Sequence, residues 1–180
     1  MEDTELLKQV VKGDQRAFLA LYDRHAGRVY TLALRVLHEP MLAEEATQDA
    51  FLKLWKHAGQ FLAERGSLVT WLLTITRRTA LDRLRLEDRR PTLSDGSDPE
   101  DLWRDIPASG TSSEESRWRS MHLAVQALPT DQRQVLELAY YQGMSQSEIA
   151  EILGWPLGTV KTRLRAAMEH LRKIWIESEI

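Results

Sequence analysis

The segment "GWPLGTVKTRLRAAMEHLRK", residues 154–173, concentrates cationic and hydroxyl side chains in its first half, although the whole chain has a formal net charge of -3. Lys and Arg side chains can bind phosphates or guanine edges in a DNA major groove, and a helix start adds amide donors and a positive dipole. These residue types at this spacing predict contact with duplex DNA. The candidate contact residues are Thr159, Lys161, Thr162, Arg163 and Arg165.

A helix that enters a groove must be held at a fixed angle, and the spacing of Ala150, Gly154 and Val160 predicts how. A helix-turn-helix needs a small residue where its helices cross, a residue free to turn between them, and an apolar residue that locks the second helix. The three residues meet these needs at offsets of four and six. The expected buried stripe of the second helix is Val160, Leu164, Ala167 and Leu171.

Local signals also set the ends of both helices. Ser145 followed by Glu148 fits a capping box, so we expect the first helix to begin at Gln146. Pro156 suits the start of the second helix, where a missing amide hydrogen costs nothing. The alternative is a solvated amphipathic helix in an ordinary bundle. It leaves the agreement of cap, turn and charge unexplained.

The rest of the chain divides by composition into two halves and a connection. Apolar residues recur at helical spacing in both halves, with glycines between the helices and no period-two pattern. Residues 94–115 contain seven acidic side chains and one basic one among Pro, Gly and Ser, which is typical of a linker. The sequence therefore predicts an all-α chain: two small helical domains, 1–90 and 115–180, joined by an acidic flexible linker, 91–114.

Several function classes are disfavoured by what the sequence lacks. The 180 residues include no Cys, and the five His have no close metal-ligand spacing. We expect no catalytic residue, no metal, no cofactor and no small-molecule substrate. No apolar run approaches the length of a membrane span, and the acidic N-terminus lacks the order of a secretory signal, so the expected location is cytoplasmic.

Four ordered segments of the sequence resemble bacterial sigma factors of the extracytoplasmic-function (ECF) type. They are "FLALYDRHAGRVYTLALRVL", "AEEATQDAFLKLWKHAGQF", "WLLTITRRTALDRLR" and "LPTDQRQVLELAYYQGMSQSEIAEILGWPLGTVKTRLRAAMEHLRK", and they cover nearly the whole chain. The resemblance implies a sigma-2 domain before the linker and a sigma-4 domain after it, the second recognising the duplex minus-thirty-five element. The SigK-like branch is the most similar one at "WLLTITRRTALDRLR", at residues 128–134 and at the following "ELAYYQG".

The resemblance also implies partners: promoter DNA and core RNA polymerase, bound at the clamp of its largest subunit and at its flap. The helix at 42–57 is similar to the family's clamp-binding surface, whose acids would suit a basic clamp. Trp55 and Phe51 also fit an alternative role in the hydrophobic core. The residues expected to bind polymerase are Glu45, Gln48, Asp49, Leu52 and Trp55.

The loop after that helix and the next helix resemble the part that captures the unwound minus-ten element. Single-stranded DNA needs a place for an unstacked base and cations along its backbone. Trp71 could serve as a stacking platform, but its apolar spacing with Ile75 favours core packing. The expected residues are Phe61, Glu64, Arg65, Gly66, Leu68, Arg77, Arg78 and Arg85. Many family members carry Asn at position 78, so Arg78 puts the usual minus-ten base preference in doubt.

An inhibitory protein partner is also expected. The resemblance implies an anti-sigma factor, membrane-anchored in the SigK-like branch, which would hold the chain at the inner face of the membrane. The acidic linker is either an occupant of basic polymerase channels or a spacer extended by self-repulsion. The alternative function is a stand-alone helix-turn-helix regulator, which dimerises on duplex DNA without polymerase.

Overall fold

The computed structural model describes residues 2–88 and 113–177, and these residues form helices and short connections without any β-strand. Helices α1 to α4 belong to one compact unit and α5 to α8 to a second, which confirms the predicted all-α fold class. The helices are α1 (Asp3–Val11), α2 (Gln15–Leu37), α3 (Pro40–His57), α4 (Leu68–Asp88), α5 (Ser113–Ala127), α6 (Thr130–Tyr140), α7 (Gln146–Leu153) and α8 (Leu157–Glu177).

The first unit is a bundle in which α2 packs against α1, α3 and α4, and α3 packs against α4. The predicted apolar positions form its interior: Leu21 and Leu54 are fully buried and Phe51 is 2% exposed. Phe51 also meets the rings of Phe18 and Tyr22, at centroid distances of 6.2 and 4.6 Å. Aromatic and aliphatic burial of this kind supplies most of the stability of a small helical unit.

Side-chain caps fix where the long helices begin. The Asp14 carboxylate accepts hydrogen bonds from the amides of Arg16 and Ala17 at the start of α2. Glu39 accepts from the amides of Met41 and Leu42 at the start of α3. Each carboxylate satisfies helix amides that have no partner within the helix, and its charge lies at the positive end of the helix dipole.

Helix α1, which the periodicity had not predicted, is held to α2 by a polar contact. The Asp3 carboxylate accepts hydrogen bonds from Arg24 and, at 2.7 Å, lies against Nε2 of His25, whose side chain is 1% exposed. Burial raises the pKa of Asp3, but the hydrogen bonds and charges of His25 and Arg24 outweigh burial, and the pKa lies below its ordinary value. The contact ties the N-terminal helix to the bundle.

The second unit closes around one hydrophobic cluster drawn from all four of its helices. Val135 of α6, Ile149 of α7 and Val160 of α8 are fully buried in it. Partly buried side chains, including Trp155 between α7 and α8, pack against the cluster. This core holds the two helices of the predicted DNA-reading motif together.

The predicted acidic linker, 91–114, falls on residues outside the described ranges up to position 112, and α5 begins at Ser113. Its proposed roles and the predicted domain bounds therefore stay predictions. Within the described ranges, no helix has the length and apolar character needed to cross a membrane.

Candidate functional site

The start of α7 and the turn from α7 to α8 have the predicted local chemistry. The Ser145 hydroxyl accepts from the Glu148 amide at 3.2 Å, and the Glu148 carboxylate accepts from the Ser145 amide at 2.7 Å. This capping box starts α7 at Gln146, as predicted. Gly154 ends α7 with φ 65°, a left-handed conformation that favours glycine. The amide of Trp155 then closes the turn on the carbonyl of Ala150, at 3.1 Å.

Helix α8 presents two different faces, and both match the predicted division. Toward the core, Val160, Leu164, Ala167 and Leu171 are all 3% exposed or less. Toward solvent, Lys161, Thr162 and Arg165 are exposed, while Thr159 is half-buried. The Thr162 hydroxyl donates to the Gly158 carbonyl at 2.9 Å, so it sits close to the helix surface. The exposed cations Lys161 and Arg165 stand within the first three turns of the helix.

Arg163 differs from its neighbours because its guanidinium is engaged inside the unit. Nη1 lies 2.9 Å from Oδ2 of Asp131 in the first turn of α6. Cζ lies 4.1 Å from the ring centroid of Trp155, which is cation-π distance. The structure thus joins α6, the turn and α8 through one side chain. Asp131 was not predicted as its partner.

The connection from α3 to α4 brings two aromatic rings together. It contains two short 3-10 turns, at Ala58–Gln60 and Ala63–Arg65. The rings of Phe61 and Trp71 lie 5.6 Å apart between centroids, and both side chains are half-buried. Glu64 is exposed beside them in sequence. Trp71 therefore contacts a predicted minus-ten residue, although its spacing alone favoured the core.

Backbone geometry fixes the end of this loop. Gly66 is buried and has φ 147°, a region that other residues rarely adopt. The Ser67 hydroxyl accepts from the amide of Thr70 at 3.2 Å, which caps the start of α4. The Arg65 side chain lies outside the described part of the chain.

The remaining predicted minus-ten residues divide by burial. Leu68 is 3% exposed and Arg77 is 4% exposed, so neither presents its side chain to solvent. Both occupy core-facing positions of α4, and their contact with DNA stays a prediction. Arg78 is exposed, and Arg85 is half-buried with Nη1 3.7 Å from Asp82. Arg78 and Arg85 are thus the predicted cations of α4 whose side chains reach solvent.

Helix α3 presents the predicted polymerase-binding residues on its outer side. Glu45, Gln48 and Leu52 are exposed, the Leu52 side chain to 53%. Trp55 is half-buried and its ring stands edge-on to Phe18 at 5.2 Å between centroids. Trp55 thus packs against α2, which favours the core alternative for much of its surface.

The acidic residues of this face have a partner that the sequence did not predict. Nη1 of Arg83 lies 2.5 Å from Oε2 of Glu45, and Nη2 lies 2.5 Å from Oδ2 of Asp49. The hydrogen bond to Asp49 raises the pKa of Arg83 above its ordinary value, burial opposes this shift, and the hydrogen bond to Glu45 adds to it. Arg83 therefore remains charged, and the two carboxylates are held together.

Three surfaces of the described residues carry charged, aromatic or exposed apolar side chains. Across the described ranges, no group of three or more His, Cys, Asp or Glu side chains could hold a metal ion. The first surface is the cationic helix α8 after its turn. The second is the aromatic pair of Phe61 and Trp71 beside the cations of α4. The third is the acidic face of α3 with the exposed Leu52. Such surfaces bind duplex DNA, unstacked bases and a basic protein partner, respectively.

Comparison with known proteins identifies the class. Residues 21–90 match the family described as Sigma-70 region 2, and residues 118–171 match Sigma-70, region 4. The first match falls in the unit of α1 to α4 and the second in the unit with the helix-turn-helix. Fold and site together define a protein of the sigma-70 type.

Curated proteins that align with nearly the whole chain show which family within this class it belongs to. The chain is 37% identical over 169 residues to the ECF RNA polymerase sigma factor SigK of Mycobacterium ulcerans (strain Agy99), covering 93% of this chain and 90% of the relative. SigK of Mycobacterium tuberculosis (strain ATCC 25618 / H37Rv) matches with the same identity and coverage. The chain belongs to the ECF family of RNA polymerase sigma factors. The predicted similarity to SigK-like members is confirmed.

Among solved structures, the chain resembles Rhodobacter sphaeroides SigE in complex with the anti-sigma ChrR. The identity is 29% and the TM-score is 0.50, with 95% of this chain and 96% of that chain covered.

Proposed function

We propose that this chain binds core RNA polymerase and directs it to specific promoters, without chemistry of its own. The exposed Lys161, Thr162 and Arg165 at the start of α8 carry the proposal, because they follow a turn in which Gly154 ends α7 in a left-handed conformation. A helix held this way can place its first turns in a major groove, where Lys and Arg bind phosphates or bases. We assign upstream duplex recognition to this unit.

The exposed side of α3 is the proposed docking surface for polymerase. Glu45 and Asp49 give it negative charge, and Leu52 adds an apolar contact that is 53% exposed. An acidic rim around an apolar contact suits a basic partner surface, since complementary charge speeds and orients docking. Gln48 lies on the same exposed side of the helix.

The loop before α4 and the exposed side of α4 are proposed to capture unwound minus-ten DNA. Phe61 and Trp71 offer aromatic surface at the loop, with ring centroids 5.6 Å apart. Arg78 on α4 supplies an exposed cation. Aromatic rings stack on unpaired bases and cations follow the backbone, so this combination favours single-stranded DNA.

An anti-sigma factor is the proposed regulator. Rhodobacter sphaeroides SigE, which this chain resembles over 95% of its length, is in complex with the anti-sigma ChrR. The exposed acidic and apolar face of α3 would be covered by such a partner, which would prevent docking to polymerase. A membrane anchor in that partner would keep the chain at the inner face of the membrane.

Promoter opening tests the proposal directly. Genomic fragments transcribed only with the chain and core polymerase together would supply a promoter, into which a fluorescent base is placed at the minus-ten region. We expect the fluorescence to rise only when both proteins are present. A stand-alone regulator would instead bind duplex DNA tightly as a free dimer and leave polymerase unaffected, and that result would exclude the proposal.

Two variants test the division of labour. Joint replacement of Gln48→Ala and Asp49→Asn should weaken core binding and leave duplex binding by the free chain unchanged. Joint replacement of Lys161→Ala and Arg165→Ala should do the reverse. Equal loss of core affinity in both variants would contradict the assignment of separate surfaces.

A further inference from the structure

Arg83 of α4 is the one side chain of the described residues that bridges two carboxylates of α3. Glu45 and Asp49 are one helical turn apart, and each accepts a hydrogen bond of 2.5 Å from a different nitrogen of the guanidinium. A planar guanidinium can make two directed hydrogen bonds at once, whereas an ammonium acts as a point charge. The side chain of Arg83 is only 24% exposed, while those of Glu45 and Asp49 are 54% and 43% exposed.

The bridge is part of a longer polar contact between the same two helices. One further turn along α3, Nζ of Lys53 donates to Oγ1 of Thr79 at 2.8 Å. Positions 45, 49 and 53 of α3 thus meet positions 83 and 79 of α4, with the two helices running in opposite directions along the contact. Glu45 and Asp49 differ from Lys53 because they belong to the face proposed for polymerase.

We propose that Arg83 is a positioning residue of the polymerase-binding face, which holds both carboxylates in the geometry that the partner requires. The inference rests on the proposed function, because it assigns Glu45 and Asp49 to polymerase docking. Arg83 uses Oε2 of Glu45 and Oδ2 of Asp49. The other oxygen of each carboxylate has no hydrogen bond to any residue in the described ranges, and a cationic partner can bind there.

Preorganisation explains why an intramolecular cation helps an acidic face to bind. Long acidic side chains on a helix surface occupy several rotamers, and binding must select one of them at an entropic cost. Arg83 restricts both side chains before the partner arrives. Charge alone predicts the opposite effect, because a cation inside an acidic face weakens its attraction for a basic partner. The two explanations therefore differ in sign.

The test measures the affinity of the full chain for core polymerase without DNA. We expect Arg83→Gln to weaken binding about fivefold, the size expected for ordering one or two side chains. Arg83→Lys keeps the charge and can hold one carboxylate, so it should recover part of the loss. Folding is checked by circular dichroism and thermal unfolding of each variant.

Two matched controls distinguish the positioning of Glu45 and Asp49 from two other effects. These effects are the change of net charge and a weaker contact between α3 and α4. Arg16→Gln makes the same charge change at an exposed position of α2 and should leave the affinity unchanged. Thr79→Val removes the hydrogen bond of Lys53 between α3 and α4 but leaves Glu45 and Asp49 in place. It should affect core affinity much less than Arg83→Gln.

Each outcome decides the inference. Tighter or unchanged core binding by Arg83→Gln would overturn it, as would an equal loss in Thr79→Val. No recovery in Arg83→Lys would also overturn it, because a positioning role depends on a cation at that place. A wild-type chain that fails to bind core polymerase would contradict the proposed function instead, and that result is visible before any variant is compared.

Discussion

The guanidinium of Arg163 forms an ion pair with the carboxylate of Asp131, with 2.9 Å between Nη1 and Oδ2. The pair links the DNA-reading helix α8 to the first turn of α6, and the Trp155 ring lies 4.1 Å from Cζ of the same guanidinium. A side chain held on two sides has less freedom to follow a phosphate. We infer that Arg163 chiefly sets the position of α8, and that its exposed neighbours supply the contacts with DNA.

Replacing Arg163 should therefore weaken the fold of the C-terminal unit. Arg163→Ala removes one half-exposed ion pair and one cation-π contact, which together contribute about 1 kcal/mol to the free energy of unfolding. Asp131→Asn should cost less, because Trp155 still holds the guanidinium. Urea unfolding of both single variants and of the double variant measures the coupling. Strictly additive losses would show that the two side chains do not interact in solution.

The exposed Lys161 should behave differently, because we propose that it binds DNA. Lys161→Ala should reduce the slope of log affinity against log salt by about one, the change expected for one lost phosphate contact. Arg163→Ala should change this slope by much less. The measurement is a salt titration of duplex binding by fluorescence anisotropy. Equal changes of slope in the two variants would show that Arg163 also contacts a phosphate.

Gly154 should be required because its backbone is left-handed, and not because a side chain would clash with its surroundings. Its φ is 65°, yet apart from its own residue and its two chain neighbours no atom of the described residues lies within 4 Å of where a Cβ would stand. Gly154→Ala should therefore cost about 1 kcal/mol of stability from backbone strain alone. Gly158→Ala is the matched control, since it also has nothing within 4 Å but lies in a helix with ordinary φ. Thermal unfolding should separate the two, and equal stabilities would refute the argument.

The parts of the fold that the sequence could predict are those set by neighbouring residues. Ser145 and Glu148 lie three positions apart and cap one helix, so the start of α7 could be predicted from this short segment alone. Helix α1 was not predicted, because it is short and is held by Asp3 through His25, 22 positions away. Its signal was the spacing of Leu6, Leu7 and Val10, which are all buried.

In the candidate site, too, some features follow from neighbouring positions in the sequence and others depend on how distant helices pack. Exposure of Lys161 and Arg165 follows from the periodicity of α8, whereas the bridge from Arg83 to Glu45 spans 38 positions and depends on how two helices pack. Burial of Arg77 could have been predicted. It lies four residues after Leu73 and four before Leu81, both of which are buried, so it shares their side of the helix.

The contact of Asp3 with Arg24 and His25 should make the stability of the first unit depend on acid. The pKa of Asp3 in the folded chain lies below its ordinary value of 3.8. Its contribution is therefore fully present above that value and is lost as the pH falls through the lower, folded pKa. Asp3→Asn should reduce the free energy of unfolding at pH 6, and the difference from wild type should shrink in strong acid.

Urea unfolding of wild type and Asp3→Asn between pH 6 and acid gives this difference directly, because other carboxylates titrate in both proteins. Glu5→Gln is a suitable control, since Glu5 is exposed and forms a surface ion pair with Lys8 at 3.5 Å. It should show little difference at any pH. A constant difference between wild type and Asp3→Asn across the range would contradict the linkage.

Phe61 should contribute to promoter opening through its ring. Stacking of one base on an aromatic side chain contributes about 1–3 kcal/mol, so Phe61→Ala should lower the extent of opening about tenfold or more at limiting protein. The ring also packs against Trp71, at 5.6 Å between centroids, and a loss of packing must be distinguished from a loss of stacking.

Phe61→Leu keeps an apolar side chain without a ring, and Phe61→Tyr keeps the ring. Fluorescence of a minus-ten base should be low with Leu and near wild type with Tyr, while core binding stays unchanged in both. High fluorescence with Leu would show that Phe61 only packs the loop and that the unstacked base binds elsewhere.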